Sequence, residues 1–187
     1  CLWNTATTTF SSVHGTPGRD FIAEYVKAAR AAGLMVGFYF SFMDWRYRTY
    51  WDGPRKDPQG WKRFVAYVHA QVRELMTNYG KIDILWYDGA WGPTHLNPWG
   101  VKYAWGFKPN AQGYANVWQS AKLNAMVRQL QPGILINDRS YLPEDFGTPE
   151  KTITPEHRPW ELCDTIGFYW GASTQDRDRK SPRALLG

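Results

Sequence analysis

The sequence has no run of about eighteen apolar residues, the length a membrane-crossing helix needs, and no basic-then-apolar leader at its start. The expected form is therefore soluble and without membrane contact, with no compartment indicated. Cysteine is nearly missing. Cys1 and Cys163 are the two present, and they lack metal-ligand spacing, which argues against a zinc site and reads as two free thiols. There is no glycine-rich phosphate loop and no Gly-x-Ser-x-Gly elbow, which weighs against nucleotide and serine-hydrolase chemistry. Histidine is sparse: His14 and His95 fall in loop sequence without ligand partners, and His69 lies mid-helix, where solvation is expected. No run of Lys and Arg exceeds two, so the net charge of +5 and pI near 9.2 describe an ordinary mixed surface. A nucleic-acid face is not expected, and neither a metal nor a cofactor is implied.

Aromatic residues are plentiful instead. They make up 17% of the 187 residues and include 11 Trp. Rings of this kind in loops line pockets and stack on the apolar faces of ligands such as sugars. The stretch that organises the chain is Lys81-Ile82-Asp83-Ile84-Leu85-Trp86-Tyr87-Asp88-Gly89. A short apolar run closed by glycine predicts a strand buried on both faces, as in a parallel sheet. Asp88 then falls at its C-terminal end, where α/β folds carry their chemistry.

The elements around it alternate. After Thr- and Ser-rich loop sequence ending in Pro17-Gly18, Asp20 is a good N-cap for a helix with an apolar stripe through Phe21, Ile22, Tyr25, Val26 and Ala29, stopping at Gly33. Leu34–Phe40 reads as a second buried strand, and 41–60 as an aromatic and charged loop. Asp57-Pro58 opens a long helix striped by Trp61, Phe64, Val65, Val68, Val72, Leu75 and Met76 and closed by Gly80. Beyond Asp88 a long loop to about Gly113 holds Trp91, Trp99 and Trp105, and loops of that length are usually lids or binding loops. A third helix starts at Tyr114, a short strand covers Ile134–Asn137, and a last strand is expected within Cys163–Tyr169. The tail 176–180 alternates charge, and Ser181-Pro182 marks a helix start. Strand and helix in alternation predict an α/β fold with parallel strands. The aromatic and polar cargo follows each strand, as on the catalytic face of a (β/α)8 barrel. A full barrel takes roughly 250 residues. The chain is therefore expected to be part of one, a single truncated catalytic domain over 1–187 with N- and C-terminal barrel elements missing. It also begins at Cys1 without Met, which reads as a piece of something longer.

Asp88 has two readings. Asp-Gly turns chains, and a carboxylate at a strand end flanked by Trp86 and Tyr87 also suits a nucleophile attacking an anomeric carbon. A retaining glycosidase needs a second carboxyl about 5 Å away. Glu150, Glu156 and Glu161 all follow the third strand, the first two within repeated Thr-Pro-Glu triplets and the last beside Trp160. Each also reads as a surface or structural charge. Arg139 ends a strand and is placed either to hold a substrate oxygen or to pair with Asp138 or Asp88. Tyr39 and Trp45 read as core or rim aromatics as readily as sugar contacts.

Several ordered motifs resemble the retaining α-L-fucosidases of glycoside hydrolase family 29 along nearly the whole chain. They are Pro17-Gly18-Arg19-Asp20 with Ala31-Ala32-Gly33-Leu34, then Gly37-Phe38-Tyr39-Phe40-Ser41 through Asp44-Trp45, then Leu85-Trp86-Tyr87-Asp88-Gly89. Asn137-Asp138-Arg139, Asp145-Phe146-Gly147-Thr148-Pro149-Glu150 and Trp160-Glu161 to Trp170-Gly171 continue the series. The resemblance implies hydrolysis of terminal α-L-fucosyl linkages by double displacement, with Asp88 as nucleophile and no cofactor. It implies Glu150 as the preferred acid/base, with Glu161 as the alternative. Tyr39, Trp86 and Arg139 match fucose contacts, and Trp45 matches the end of a motif strand. The implied partner is a fucosylated oligosaccharide or an aryl fucoside. The family's His-His-Asp-Gly-Phe motif, its late Gly-Gly-Asn strand and its C-terminal sandwich do not occur in this sequence, and Gly171-Ala172 replaces the usual Gly-Tyr. The alternative expectation is a carbohydrate-binding remnant impaired in turnover. A partial barrel leaves open sheet edges, so copies are expected to associate as a homo-oligomer that covers them.

Overall fold

The computed structural model describes residues 1–92, 105, 110–167, 169–174, 176 and 179–186. Helix α1 spans Phe21–Ala31, capped by Asp20, whose Oδ1 accepts from Ala23 N at 2.8 Å while Oδ2 accepts from the Tyr79 hydroxyl at 2.9 Å. Val26 and Ala29 are its buried stripe. Gly33, at φ +72°, ends it in the left-handed conformation glycine permits. Leu34 N still bonds back to Ala29 O, so the chain is leaving the helix where a strand was expected. Strand β1 begins later, at Gly37–Ser41, and Leu34 and Met35 are exposed.

The segment expected as a loop up to Gly60 instead contains helix α2, Arg48–Lys56, kinked at Gly53-Pro54. Gly53 sits at φ +74° with Trp105 against it, so a Cβ there would lie 2.4 Å from the indole Cδ1. Periodicity missed this helix because Gly and Pro interrupt it. Helix α3, Pro58–Asn78, starts where expected, with Asp57 Oδ1 accepting from Gly60 N at 2.8 Å. Its predicted stripe is buried along its whole length. Strand β2 is Ile84–Asp88. Most of the long loop after it, including His95 and Trp99, lies outside the described residues. The single helix expected from Tyr114 is two, α4 at Ala111–Trp118 and α5 at Ser120–Leu130, broken at Gln119 with φ 53°. Strand β3 is short, Leu135–Ile136, and runs into a 3-10 turn at Asp138–Ser140. Of the strand expected within Cys163–Tyr169, the described residues form one bridge, Glu150 to Cys163, and Phe168 lies outside them. Helix α6 is Pro182–Leu186, as the Ser-Pro signal predicts, while Arg177 and Asp178 of the charged tail are outside the described residues.

Among the described residues three strands form one parallel sheet in the order β1-β2-β3, with Tyr39 opposite Trp86, Ser41 opposite Asp88 and Leu85 opposite Ile136. Burial on both faces, expected for β1 and β2, is not what they show. Phe38, Phe40, Leu85, Tyr87 and Ile136 are buried, whereas Tyr39 is 62% exposed and Trp86 and Asp88 are half-buried. The two-residue period of a strand sends alternate side chains to opposite faces. One face meets a helix layer and its aromatic core. The other, carrying Tyr39, Trp86 and Asp88, is open.

That core is a contiguous set of rings. Trp118, fully buried, lies 4.8 Å from Trp61, 5.0 Å from Phe42 and 5.9 Å from Phe64. His69 belongs to this region and is not solvated as expected. Half-buried, its Nε2 meets the Trp118 carbonyl at 2.9 Å, and burial pushes the imidazole pKa down. Among the described residues no helix is long and apolar enough to cross a membrane.

Candidate active site

Asp88 ends β2 on the open face. Its main-chain carbonyl accepts from Phe42 N at 2.9 Å, just beyond β1. Gly89 follows at φ +68°, packed so closely that a Cβ would meet Met43 at 2.6 Å and the Ser41 hydroxyl at 2.8 Å. Both sequence readings of Asp-Gly thus have a physical counterpart: Gly89 makes the turn, and Asp88 keeps its carboxylate on the open face. The Tyr39 hydroxyl donates to Asp88 Oδ2 at 2.5 Å. Burial, then this bond to a carboxylate, pushes the phenol pKa above its ordinary value, so the hydroxyl stays a donor. Asp88 Oδ1 is buried and accepts no hydrogen bond among the described residues, and Arg139 Nη1 stands 3.9 Å away.

Arg139 joins the remaining groups. Nη1 pairs with Glu150 Oε1 at 2.7 Å, Nε donates to Thr148 Oγ1 at 2.5 Å, and Nη2 donates to the Thr148 carbonyl at 2.8 Å. Thr148 Oγ1 in turn donates to Asp138 Oδ1 at 2.6 Å. The guanidinium also lies 5.2 Å from the centre of the Trp86 ring, a cation–π distance. Arg139 therefore pairs with Glu150 and approaches Asp88; its adjoining Asp138 is engaged by Thr148 and by Arg158, at 3.5 Å. Trp86 stacks on Tyr39 with ring centres 5.7 Å apart and planes 17° from parallel. Its indole N–H donates to Glu161 Oε1.

Two isolated parallel bridges, Gly147 to Trp160 and Glu150 to Cys163, zip the irregular segment beyond β3 into this arrangement. Gly147 lies against the Glu156 carboxylate, which a Cβ at that position would push aside. Glu156 is paired with Arg158 at 2.5 Å, which makes it a structural charge. The Cys163 thiol is pushed up in pKa by burial first and then by Glu150, so it is a poor nucleophile beside these carboxylates.

Six of the seven residues singled out from sequence thus converge: Asp88, Tyr39, Trp86, Arg139, Glu150 and Glu161. Trp45 does not join them. It is 68% exposed, its ring lies 6.5 Å from Trp51, and its carbonyl accepts from Trp51 Nε1 at 2.9 Å. Thr148 was not singled out, although its place between the Asp-Phe-Gly turn and Pro149-Glu150 marks a residue that local backbone brings to the site. Among the described residues there is no group of three or more His, Cys, Asp or Glu side chains fit to hold a metal ion.

A carboxylate with one oxygen held by a phenol and the other facing a guanidinium, two further carboxyl groups and a stacked pair of rings form a site suited to a neutral polyhydroxylated ring. Comparison with known proteins agrees with that chemistry. Alpha-L-fucosidase 1 of Arabidopsis thaliana is 33% identical over 95 residues, covering 49% of this chain and 17% of that protein. In the solved structure of alpha-L-fucosidase isoenzyme 1 from Paenibacillus thiaminolyticus, at 32% identity and a TM-score of 0.70, the match covers 100% of this chain and 47% of that one. A family 29 alpha-L-fucosidase from Bacteroides thetaiotaomicron, solved as a covalent intermediate trapped with 2-fluoro-fucosyl fluoride in an E288Q mutant, matches at 26% identity and a TM-score of 0.69. That match covers 100% of this chain and 45% of the enzyme. The chain thus spans about half the length of the solved enzymes it matches. The alpha-L-fucosidase family model matches residues 1–187, and on that whole-length match the chain belongs to the alpha-L-fucosidase family.

Proposed function

We propose that this chain forms the nucleophile-bearing part of a retaining α-L-fucosidase. The observation that carries the reading is Asp88 at the end of β2, with Oδ2 bound by Tyr39 and Oδ1 buried and without a hydrogen bond among the described residues. In the first step the Asp88 carboxylate attacks the anomeric carbon of a terminal α-L-fucosyl unit as the bond to the leaving oxygen breaks. A carboxylic acid gives that oxygen its proton. The resulting fucosyl ester on Asp88 is then hydrolysed by a water that returns its proton to the same residue. We keep the acid/base role on Glu150, which the family resemblance prefers and which shares the Arg139 guanidinium with Asp88. Glu161 is the alternative, held through the Trp86 indole on the same face. Trp86 and Tyr39 supply the apolar platform and Arg139 a donor to substrate oxygens, with exposed Trp45 kept as a further substrate contact. No cofactor enters the scheme.

The parallel sheet with its exposed chemical face supports the further reading that 1–187 is one arc of a (β/α)8 barrel. In that arc β1 and β3 are edge strands, with Leu34, Met35 and Leu135 exposed beside them. Strand edges next to apolar surface recruit partners, and a second copy is the proposed cover. Size-exclusion chromatography with light scattering is expected to give a dimer or larger species, and a stable monomer would remove that part of the proposal.

Mass spectrometry after incubation with an activated 2-fluoro-fucosyl donor tests the enzyme reading. The expected result is a covalent adduct on the peptide containing Asp88. Unmodified protein that still binds fucose would instead identify a carbohydrate-binding form impaired in turnover.

A further inference from the structure

Parallel pairing between β2 and β3 stops before it reaches Tyr87. The pairs are Ile84 with Leu135 and Leu85 with Ile136, and Asn137 N still reaches Leu85 O at 3.4 Å. The main chain then bridges to Phe146 and enters the 3-10 turn, so it has no peptide left to offer β2. In a strand the N–H and C=O of one residue point to the same side, and those of Tyr87 point toward β3. Buried peptide groups left unpaired are costly. The Asn137 side chain meets both: Oδ1 accepts from Tyr87 N at 2.9 Å, and Nδ2 donates to the Tyr87 carbonyl at 3.0 Å. Asn137 and Tyr87 are both fully buried. A primary amide is the one side chain that copies a peptide's donor and acceptor at this separation.

We propose that Asn137 is a positioning residue for the nucleophile: its amide completes the ladder beside Tyr87 and thereby fixes the backbone that presents Asp88. From the β1 side, Phe42 N holds the Asp88 carbonyl; from the β3 side, Asn137 holds the residue before it. The same amide sets the spacing between Asp88 and Arg139, which lies two residues beyond Asn137. The inference rests on reading Asp88 as the nucleophile. Displacements of about 1 Å in a reacting group cost on the order of a hundredfold in rate, and a clamp one residue away controls displacements of that size.

The test uses the complete chain with an aryl α-L-fucoside. Asn137→Ala is expected to lower kcat about a hundredfold with KM changed less than about threefold. Asn137→Asp separates positioning from general stability. Ionised, it turns a second anionic oxygen on the Tyr87 carbonyl; protonated, it restores one donor and one acceptor. Burial raises such a carboxyl's pKa, so activity is expected to recover as pH falls through that raised value, on a limb absent from the parent. The charged groups bonded to or flanking the neighbouring backbone (Asp88 on β2, Arg128 on α5, Asp138, Arg139, Glu144 and Asp145) are common to parent and variant, so the added limb reports position 137. A kcat within threefold of the parent in Asn137→Ala overturns the inference. So does a loss that only tracks the unfolded fraction, with no acid recovery in Asn137→Asp. If the parent itself neither turns over nor forms the Asp88 adduct, the enzyme reading has failed instead. Amide hydrogen exchange then decides the clamp, since Asn137→Ala is expected to accelerate exchange selectively at Tyr87, and unchanged exchange there overturns it.

Discussion

Asp88→Gly is expected to lower hydrolysis of an aryl α-L-fucoside by about ten-thousandfold, the scale seen when one member of a cooperating catalytic set is removed. At about 1.36 kcal/mol per tenfold, that corresponds to roughly 5 kcal/mol of transition-state stabilisation. The substitution deletes the oxygen that would form the ester and frees the Tyr39 hydroxyl, while Phe42 N still holds the main-chain carbonyl of position 88. Strand β2 should therefore remain paired. The space left by the carboxylate suits a small anion, and Arg139 and the Tyr39 hydroxyl remain to attract it. Azide is expected to restore turnover and to yield a fucosyl azide of inverted configuration, because it attacks from the face Asp88 occupied while no ester forms. A variant with parent-like rate would exclude Asp88 as nucleophile. A dead variant that azide does not rescue, with β2 intact by circular dichroism, would point to a structural role for the carboxylate instead.

The sequence made β2 and Asp88 legible because three independent signals coincide there: an apolar run, a glycine stop and the position of polar residues after each strand. The long stripe of α3 was legible for the same kind of reason, since seven apolar positions at helical spacing admit one period. Helix α2 was hidden because Gly53-Pro54 break its pattern, and the α4–α5 break was hidden because Gln119 carries no glycine or proline to mark a left-handed residue. Burial on both faces was the wrong expectation for β1 and β2. An apolar and aromatic strand reads the same whether its second face meets a core or opens as a site, and Tyr39 and Trp86 are the rings that differ. Within the site, the Tyr39–Asp88 bond joins residues 49 apart and the Glu150–Arg139 pair depends on a loop zipped by single bridges. Neither is encoded by local periodicity. Motif resemblance nominated those residues, but it gave Trp45 equal standing, and side-chain geometry separates it from the others.

Trp118→Ala is expected to be the most damaging core substitution, for a reason that also reaches Asp88. The ring is fully buried among Phe42, Trp61, Phe64 and Trp105, at centre distances of 5.0, 4.8, 5.9 and 6.2 Å. Truncating a buried Trp removes this packing and leaves a cavity, which costs about 3–5 kcal/mol. For a chain of this size that is a fall in Tm on the order of 10 °C. The indole N–H also donates at 2.5 Å to the carbonyl of Ala90, itself fully buried, so the substitution strands a peptide oxygen two residues after Asp88. Between them lies Gly89, whose left-handed turn is packed against Met43 and Ser41. The turn that follows Asp88 is therefore bonded from the helix layer by Trp118, while the Asn137 amide bonds the Tyr87 peptide before it. Trp118→Phe keeps part of the ring packing but loses the N–H, so it weighs the anchor more heavily than the cavity: it is expected to cost less stability than Trp118→Ala yet still lower kcat in the folded protein. Thermal unfolding and kcat measured on both variants decide this. A Phe variant with parent-like kcat would confine Trp118 to packing, and an Ala variant with Tm within about 2 °C of the parent would contradict its place at the centre of the aromatic core.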